Sequence, residues 1–496
     1  MRDLADGPHC PAGHQGDELN PPLPEGLVAV VKRDCPTCEL VLPVLEDLHE
    51  RAGLMVITQD DPAFPADACW VLHDADLALS WHNGIETVPT LLRVTSGAET
   101  GRAEGWSRED WEQLSGLDAL GDGLPDHRPG CGSLSVDPAH TDRLAARFGG
   151  SGLRSRRVEL ASGEDDWEAL WDRGWSDGLP VVPPTAERVL RMLEGTTRRP
   201  DDIVATVPPD LADCTVEKVA VNAVMAGCRP EYLPVVIAAV DAVCTDEFNM
   251  HGVLATTMSV GPVLIVNGPV AGRIGMNTGI NALGQGNRAN STIGRAVQLV
   301  VRNVGGGRPG GADRATLGSP AKVGFCIAEA EDSSPWTSLA QSRGWRPDQS
   351  TVTVFAGESP RVLFDERSRS PESLTKHLAL ALRATASPRV MLALDGMIVI
   401  PPEHMARFAE AGWSRDRFMA ELSEELLVDG DELLAGSGGI EAGLPPEAAG
   451  RRIGKFRPGG LLVVHAGGPA GPFTAIMAGW VNGPRGSDPV TREIVP

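Results

Sequence analysis

The sequence predicts an α/β protein with a small N-terminal α/β domain over residues 25–120 and a large C-terminal α/β domain over 164–496. Three observations predict it. Apolar runs of strand length alternate with segments of helical period along most of the chain. A Cys35-Pro36-Thr37-Cys38 element sits where the first strand run gives way to the first helical period. Between Gly121 and Gly163 the periodicity lapses into Gly, Pro, Ser and Arg clusters, the composition of a linker or arm. The length of 496 residues suits such a division, since domains run to roughly 100–200 residues each.

Residues 1–24 are polar and rich in proline, with no hydrophobic period, and are expected to form a tail. The tail holds His9, Cys10 and His14, but three soft ligands without a fourth or a packed surround do not make a metal site, so none is assigned. Leu27 to Val31 is a continuous apolar run and the first expected strand; Leu40, Val41, Val44, Leu45 and Leu48 then recur at helical spacing. Leu54 to Thr58 is the second strand, Asp74 to Trp81 a short helix, Thr90 to Val94 the third strand, Gly97 a hairpin turn, Arg102 to Trp106 the fourth strand and Arg108 to Leu117 a closing helix. Within 121–163 only Thr141 to Phe148 is periodic.

Beyond that arm, helices are expected around Trp167 and over Ala186–Leu193, Val216–Ala226, Leu233–Val243, Thr292–Asn303, Leu374–Ala384 and Phe418–Leu427. Strands are expected over Val263–Val266, Val323–Ile327, Thr351–Phe355, Val390–Leu394, Met397–Ile400 and Leu461–His465. No internal repeat is visible.

With 42% hydrophobic and 22% charged residues, the composition excludes wholesale disorder and a collagen-like chain. The 44 basic and 67 acidic residues give a net charge of −23, which opposes association with nucleic acid or an anionic membrane. Residues 1–130 hold 8 basic and 24 acidic residues, so the first domain carries most of the negative field. The longest apolar stretch, Val219 to Cys244, is broken by Arg229, Glu231 and Asp241 and does not read as a membrane span. Nine cysteines without a dense spacing pattern, behind an N-terminus with no basic and apolar leader, place the expected location in a reducing cytoplasm with most thiols free.

The Cys-x-x-Cys element carries the clearest chemistry. A thiolate is the attacking species in disulfide exchange, and free N–H groups at a helix start lower a thiol's pKa. Two intervening residues bring Cys38 within reach of Cys35, so a mixed disulfide at Cys35 is resolved by Cys38. A zinc half-site is the competing reading, but no second Cys pair or His pair follows at a ligand spacing. Residues 25–117 resemble a thioredoxin-fold domain, on Cys35-Pro36-Thr37-Cys38 after the first strand, Val88-Pro89-Thr90, Gly97 and Gly105. The resemblance implies that Cys35 is the nucleophile, Cys38 the resolving thiol and Pro89 a cis proline beside which a substrate chain lies. Asp34 stands where that family has Trp, and Ala29 where it has a buried acid.

Cys131, in Pro129-Gly130-Cys131-Gly132-Ser133, lies in the expected arm between the domains and is a candidate exchanging thiol, against the plainer reading of an accessible bystander. In the large domain the helix from Thr215 is apolar nearly all round except for Glu217, Lys218 and Asn222. Lys218 and Asn222 are four apart and share a face, so they either line a pocket or are satisfied internally. Cys214, Cys228, Cys244 and Cys326 match no metal spacing and are expected to pack in the core. The stretch Gly275 to Thr292, with Asn287, Arg288 and Asn290 before a helix, suits an anionic group or else a loop bonded to its own backbone. The hypothesis drawn from these residues is that Lys218, Asn222, Asn287, Arg288 and Asn290 converge on one cleft. His465-Ala-Gly467-Gly468 is a second strand-to-loop candidate.

Residues 164–496 resemble the large domain of UGSC-motif family proteins, which are selenoprotein-related. The resemblance rests on Trp175 to Thr185, on Ala223 to Tyr232 and on Asn287 to Arg295. The naming motif itself is not intact; Cys131-Gly132-Ser133-Leu134 is the nearest string. Together these readings lead to the expectation of a thioredoxin-fold module fused to a large α/β domain. The module would be a thiol–disulfide oxidoreductase working with a thiol reductant or disulfide partner, without cofactor, while the large domain takes a small polar or anionic molecule. The alternatives are a redox-sensing binding protein without turnover and metal or metalloid handling through Cys35 and Cys38.

Overall fold

The computed structural model describes residues 22–150, 152–156, 158, 160, 163–392, 394–435, 449–480 and 486–496; the expected tail with His9, Cys10 and His14 lies outside the described residues. The chain is α/β and divides into two compact units, Met1–Gly152 and Leu153–Pro496. No helix among the described residues is long and apolar enough to cross a membrane.

In the first unit, β1 (Gly26–Val31) leads through Cys35 into α1 (Pro36–Leu40) and α2 (Leu42–Ala52). There follow β2 (Met55–Thr58), β3 (Val71–His73), α3 (Ala78–His82), β4 (Thr87–Val88), β5 (Thr90–Thr95), β6 (Ala98–Glu104), β7 (Trp106–Ser107) and α4 (Arg108–Ser115). The sheet order is β3-β2-β1-β5-β6, with β1, β2 and β3 parallel and β5 and β6 antiparallel. β1 is central and buried on both faces, which is why Leu27 to Val31 is unbroken apolar sequence rather than alternating. Val44, Leu45 and Leu48 of α2 pack against it, and Trp106 meets Trp111 edge-on at 5.1 Å on the other side of the core.

Two expectations shift here. The helix at Asp74 begins at Ala78, because the Asp74 carboxylate accepts from Leu79 N and Ser80 N and so closes a turn instead of continuing a helix. The strand from Arg102 to Trp106 breaks at Gly105, whose φ of +72° ends β6 and starts β7.

The larger correction concerns residues 121–163. Up to Gly152 they belong to the first unit. β8 (His127–Arg128) pairs antiparallel with β7, β9 (Cys131–Gly132) pairs antiparallel with β4, and α5 (Pro138–Phe148) lies against α3. Glycines and prolines that look like linker composition here serve close backbone approach. A Cβ on Gly130 would sit 2.4 Å from Thr87 Cγ2 and 2.7 Å from the Val88 carbonyl. The boundary of the large domain accordingly falls at Leu153, not 164.

The second unit holds two four-stranded sheets. One orders Phe325–Ala328, Gly261–Asn267, Thr351–Gly357 and Val490–Glu493; the other orders Arg361–Phe364, Phe473–Ala478, Gly396–Ile400 and Leu461–His465. Each contains a single parallel pair, Gly261–Asn267 with Phe325–Ala328 and Gly396–Ile400 with Leu461–His465. Helices Leu233–Val243 and Arg288–Asn303 pack on the first sheet and Val216–Ala226 packs on those two helices; Leu233–Val243 is buried almost all round, as its apolar sequence, interrupted only by Asp241, requires. The strand expected over Val390–Leu394 is absent from its described residues. There the carbonyls of Thr385, Ser387 and Val390 instead turn onto the buried Lys455 ammonium at 2.9, 2.6 and 2.9 Å.

Candidate functional site

The first unit brings three sulfurs together. Cys35 follows β1 in extended conformation and N-caps α1, with its Sγ accepting from Cys38 N at 3.3 Å. Pro36 occupies the first helical position, where no N–H is needed. The five residues of α1 are too few to supply a substantial dipole, so the Cys35 environment is set by individual donors. Hydrogen bonding from the Cys38 thiol, opposed by burial and aided by the Cys131 thiol and the backbone N–H groups of Cys38 and Thr37, brings the Cys35 thiol down to about 5. Cys35 Sγ also lies 3.5 Å from the Val88 carbonyl, a contact that only the protonated form uses as a hydrogen bond. Burial first, then the proximity of the Cys35 sulfur, pushes the Cys38 thiol far up, so the pair splits into one thiolate and one thiol.

The Val88-Pro89 peptide is cis and stands beside Cys35. The same Val88 is the register partner of Cys131. Burial first, then the neighbouring Cys35 sulfur, raises the Cys131 thiol. Thus Cys35, Cys38, Pro89 and Cys131 meet at one point, although Cys131 is neither in a free arm nor fully exposed. Cys35 is itself 1% exposed and Cys38 0%, contrary to the expectation of an accessible nucleophile; Cys131 is the half-buried member.

Sequence reading missed the residues that hold this arrangement. Thr37 Oγ1 donates to the Pro129 carbonyl at 2.8 Å. Gln59 donates to Ser133 Oγ at 2.6 Å and accepts from Leu134 N at 3.0 Å, and Ser133 N donates to the Glu86 carbonyl at 2.9 Å. The available signal was the pair of glycines around Cys131, which marks a close backbone approach as readily as a flexible arm.

In the second unit the expected cleft does not form. Lys218 and Asn222 line a cavity of about 730 Å³ with Trp175, Thr185, Met225 and Asn303, but Asn287, Arg288 and Asn290 do not line it. Arg288 Nε donates to the Gly227 carbonyl at 2.8 Å. Asn287 caps its helix by accepting from Asn290 N at 3.1 Å, and Asn290 exchanges hydrogen bonds with the backbone of Asn277. The loop therefore binds its own backbone, the second of the two outcomes set out for it. Lys218 Nζ donates to the Asp213 carbonyl at 2.6 Å, and Asn222 Nδ2 to the Lys218 carbonyl at 2.9 Å. Asn222 Oδ1 accepts from Asn303 Nδ2 at 2.9 Å. The Glu217 carboxylate accepts from Arg154 N at 2.9 Å and Ser155 N at 2.8 Å.

The three segments that carry the UGSC resemblance do converge. Arg295 grips Asp177 with two hydrogen bonds of 2.8 Å, and Asn303 Nδ2 donates to the Trp175 carbonyl at 3.0 Å. Burial pushes the Asp177 carboxyl up, and the guanidinium more than offsets this, leaving it below the usual carboxylate range. The pair fixes the Trp175–Thr185 segment along one wall of the cavity. Cys214 and Cys228 are buried and Cys244 half-buried, and desolvation pushes each up to about 12; Cys326 is buried and raised likewise, so all four are inert packing thiols.

A further buried group escaped the sequence reading. Glu329, after the strand Phe325–Ala328, accepts from Asn267 Nδ2 and from Leu339 N, each at 2.7 Å, and desolvation raises its carboxyl to about 7. His465 N lies 3.5 Å from its other oxygen, so the end of the strand Leu461–His465 meets this carboxylate, and just beyond it Gly467 N donates to the Thr278 carbonyl at 2.9 Å.

Compared with family models, with curated proteins and with solved structures, the chain matches none.

Proposed function

We propose that the first unit is a thiol–disulfide oxidoreductase of thioredoxin-like type, with Cys35 as nucleophile and Cys38 as resolving thiol. One observation carries the reading: Cys35 caps the helix start with its Sγ accepting from Cys38 N, where sulfur and backbone donors lower its thiol to about 5 while burial raises the Cys38 thiol beside it. That is the division of labour disulfide exchange needs, because the thiolate attacks and the neighbouring thiol resolves. The sheet order, the helix start at Cys35 and the cis Pro89 facing it support the thioredoxin resemblance. The eight cysteines among the described residues are all free, which supports a reducing, cytoplasmic setting.

For the second unit we propose a ligand-binding role centred on the 730 Å³ cavity, whose lining is mostly apolar surface with Lys218, Asn222 and Asn303 among its polar groups and suits a small polar or anionic molecule. The UGSC-family resemblance is retained as part of this proposal, on the convergence of its three segments.

The near-complete burial of Cys35 favours a second reading, a redox sensor that changes state without turnover. Reduction of insulin disulfides driven by dithiothreitol separates the two. The oxidoreductase reading expects multiple turnovers by the wild-type chain and none by Cys35→Ser. A wild-type rate no greater than the dithiothreitol background overturns it.

A further inference from the structure

Residues 127–135 cross the redox site as a strap. β8 pairs with β7, β9 with β4, and the Pro129 carbonyl is bonded to Thr37 inside the Cys-x-x-Cys element. The backbone edge of Thr87–Val88, beside the cis proline, is the edge on which an extended peptide would add as a strand. Gly132 and Cys131 already occupy it in antiparallel register, and the approach is tight enough that neither Gly130 nor Gly105 has room for a Cβ. Ser133 and Ser135 anchor the far side, Ser133 on Gln59 and Ser135 on the Ile85 carbonyl. An external chain thus finds its place taken, and neither sulfur of the Cys-x-x-Cys pair is open to it.

Resting on the oxidoreductase reading above, we propose that Cys131 is a third redox cysteine, the one that meets the disulfide substrate, and that Cys35 acts on Cys131 instead of on the substrate. Cys131 attacks one sulfur of the substrate disulfide. A Cys131–substrate bond forms, the substrate disulfide breaks, the other substrate sulfur leaves as a thiolate, and the Cys131 proton passes to the Cys35 thiolate, which stands against the Val88 carbonyl of Cys131's strand partner. Cys35 loses that proton to water and attacks Cys131 Sγ, forming the Cys35–Cys131 disulfide and expelling the remaining substrate sulfur, which is protonated by solvent. Cys38 then attacks Cys35 Sγ; its proton goes to the departing Cys131, and the Cys35–Cys38 disulfide is left. The substrate disulfide gains two electrons and one proton from solvent, leaving as one thiolate and one thiol; the chain loses two electrons and the one proton given to water, and a small dithiol reductant restores Cys35 and Cys38.

The strap is built for this and not for displacement. Cys131 is the half-buried residue among three of which the other two are buried, while its backbone is fixed from both sides.

Three variants test it with oxidised glutathione and insulin as probes. In Cys38→Ser, brief treatment with oxidised glutathione should leave a Cys35–Cys131 disulfide, found by peptide mapping without reduction. In Cys35→Ser, glutathione should remain on Cys131. Cys131→Ser should reduce insulin at least tenfold more slowly than wild type, and Cys131→Ala, with the same thermal unfolding as wild type, should match it. Glutathione trapped on Cys35 of the Cys38→Ser variant while Cys131 stays free overturns the relay. So does a Cys131→Ser variant as fast as wild type or faster, which would make the strap a cover. A wild-type chain inactive on insulin defeats the oxidoreductase reading itself, a result distinct from an active chain indifferent to Cys131.

Discussion

Thr37 and the Pro129 carbonyl, 92 residues apart in sequence, are joined by a 2.8 Å hydrogen bond that ties the helix start of the redox pair to the strap over it. Thr37 is buried, 2% exposed, while Pro129 is exposed, so the bond joins the interior to the strap at the surface. Thr37→Val keeps the shape and removes the donor. The expected cost is about 1 kcal/mol of strap closure, roughly a fivefold rise in the open fraction. Cys131 should then be alkylated about fivefold faster than in wild type; an unchanged rate would show that the bond does not hold the strap.

The strap's fit to β4 can be probed sterically. Gly130→Ala places a Cβ against Thr87 and the Val88 carbonyl, and backbone on one side cannot give way as a side chain would. A loss of about 1–3 kcal/mol from the first unit is expected, read from its thermal transition, whereas Gly132→Ala, whose Cβ meets nothing within 4 Å, should cost far less.

The titration of Cys35 follows from its donors. Its alkylation rate should rise with a midpoint near pH 5. Because S–H and N–H groups set that value, the midpoint should barely move between low and high salt. Cys38→Ala removes the largest contribution and should move the midpoint upward. The folded form of this acid is depressed below its unfolded value, so its stabilising contribution is full above the ordinary thiol pKa and is lost as pH falls through about 5. A midpoint unaffected by Cys38→Ala would mean the thiolate is stabilised by something else.

The local chemistry was legible in sequence and the long-range chemistry was not. The spacing of Cys35 and Cys38, the apolar run of β1 and the helical period after it are encoded within about twenty residues, and the α/β class followed. Cys131 carries no such local signal: its partner Val88 is set by strand pairing, and Gly130 and Gly132 read equally as loop. In the second unit, Lys218 and Asn222 share a cavity wall, as their helical spacing allows, and both are also bonded internally, while the Arg288 guanidinium, for which an anionic group or backbone stood open, is taken by the Gly227 carbonyl. Donor-rich loops advertise donors, and sequence does not reveal whether the acceptor is a ligand or the loop's own backbone. Glu329 was invisible for a related reason: one acidic residue after a strand looks solvated until the packing of Asn267, Leu339 and His465 around it is known.

That buried carboxylate gives the second unit a pH dependence of definite sign. Desolvation raises Glu329 to about 7, opposed by hydrogen bonds from Leu339 N and Asn267 and by Arg415, and reinforced by Glu331. The folded chain therefore holds a proton that the unfolded chain releases. Stability from this group is greatest below its unfolded pKa and declines as pH rises from about 4.3 through about 7, by on the order of 3 kcal/mol in all. Glu329→Gln removes the ionisation while keeping an acceptor for Leu339 N. At pH 8 the variant should unfold at higher urea than wild type, and at pH 5 the two should nearly coincide, since wild type is then protonated. Loss of the difference at pH 8, or a variant that keeps the wild-type slope between pH 5 and 8, would show that Glu329 is ionised in the folded chain and that its hydrogen bonds, not burial, dominate.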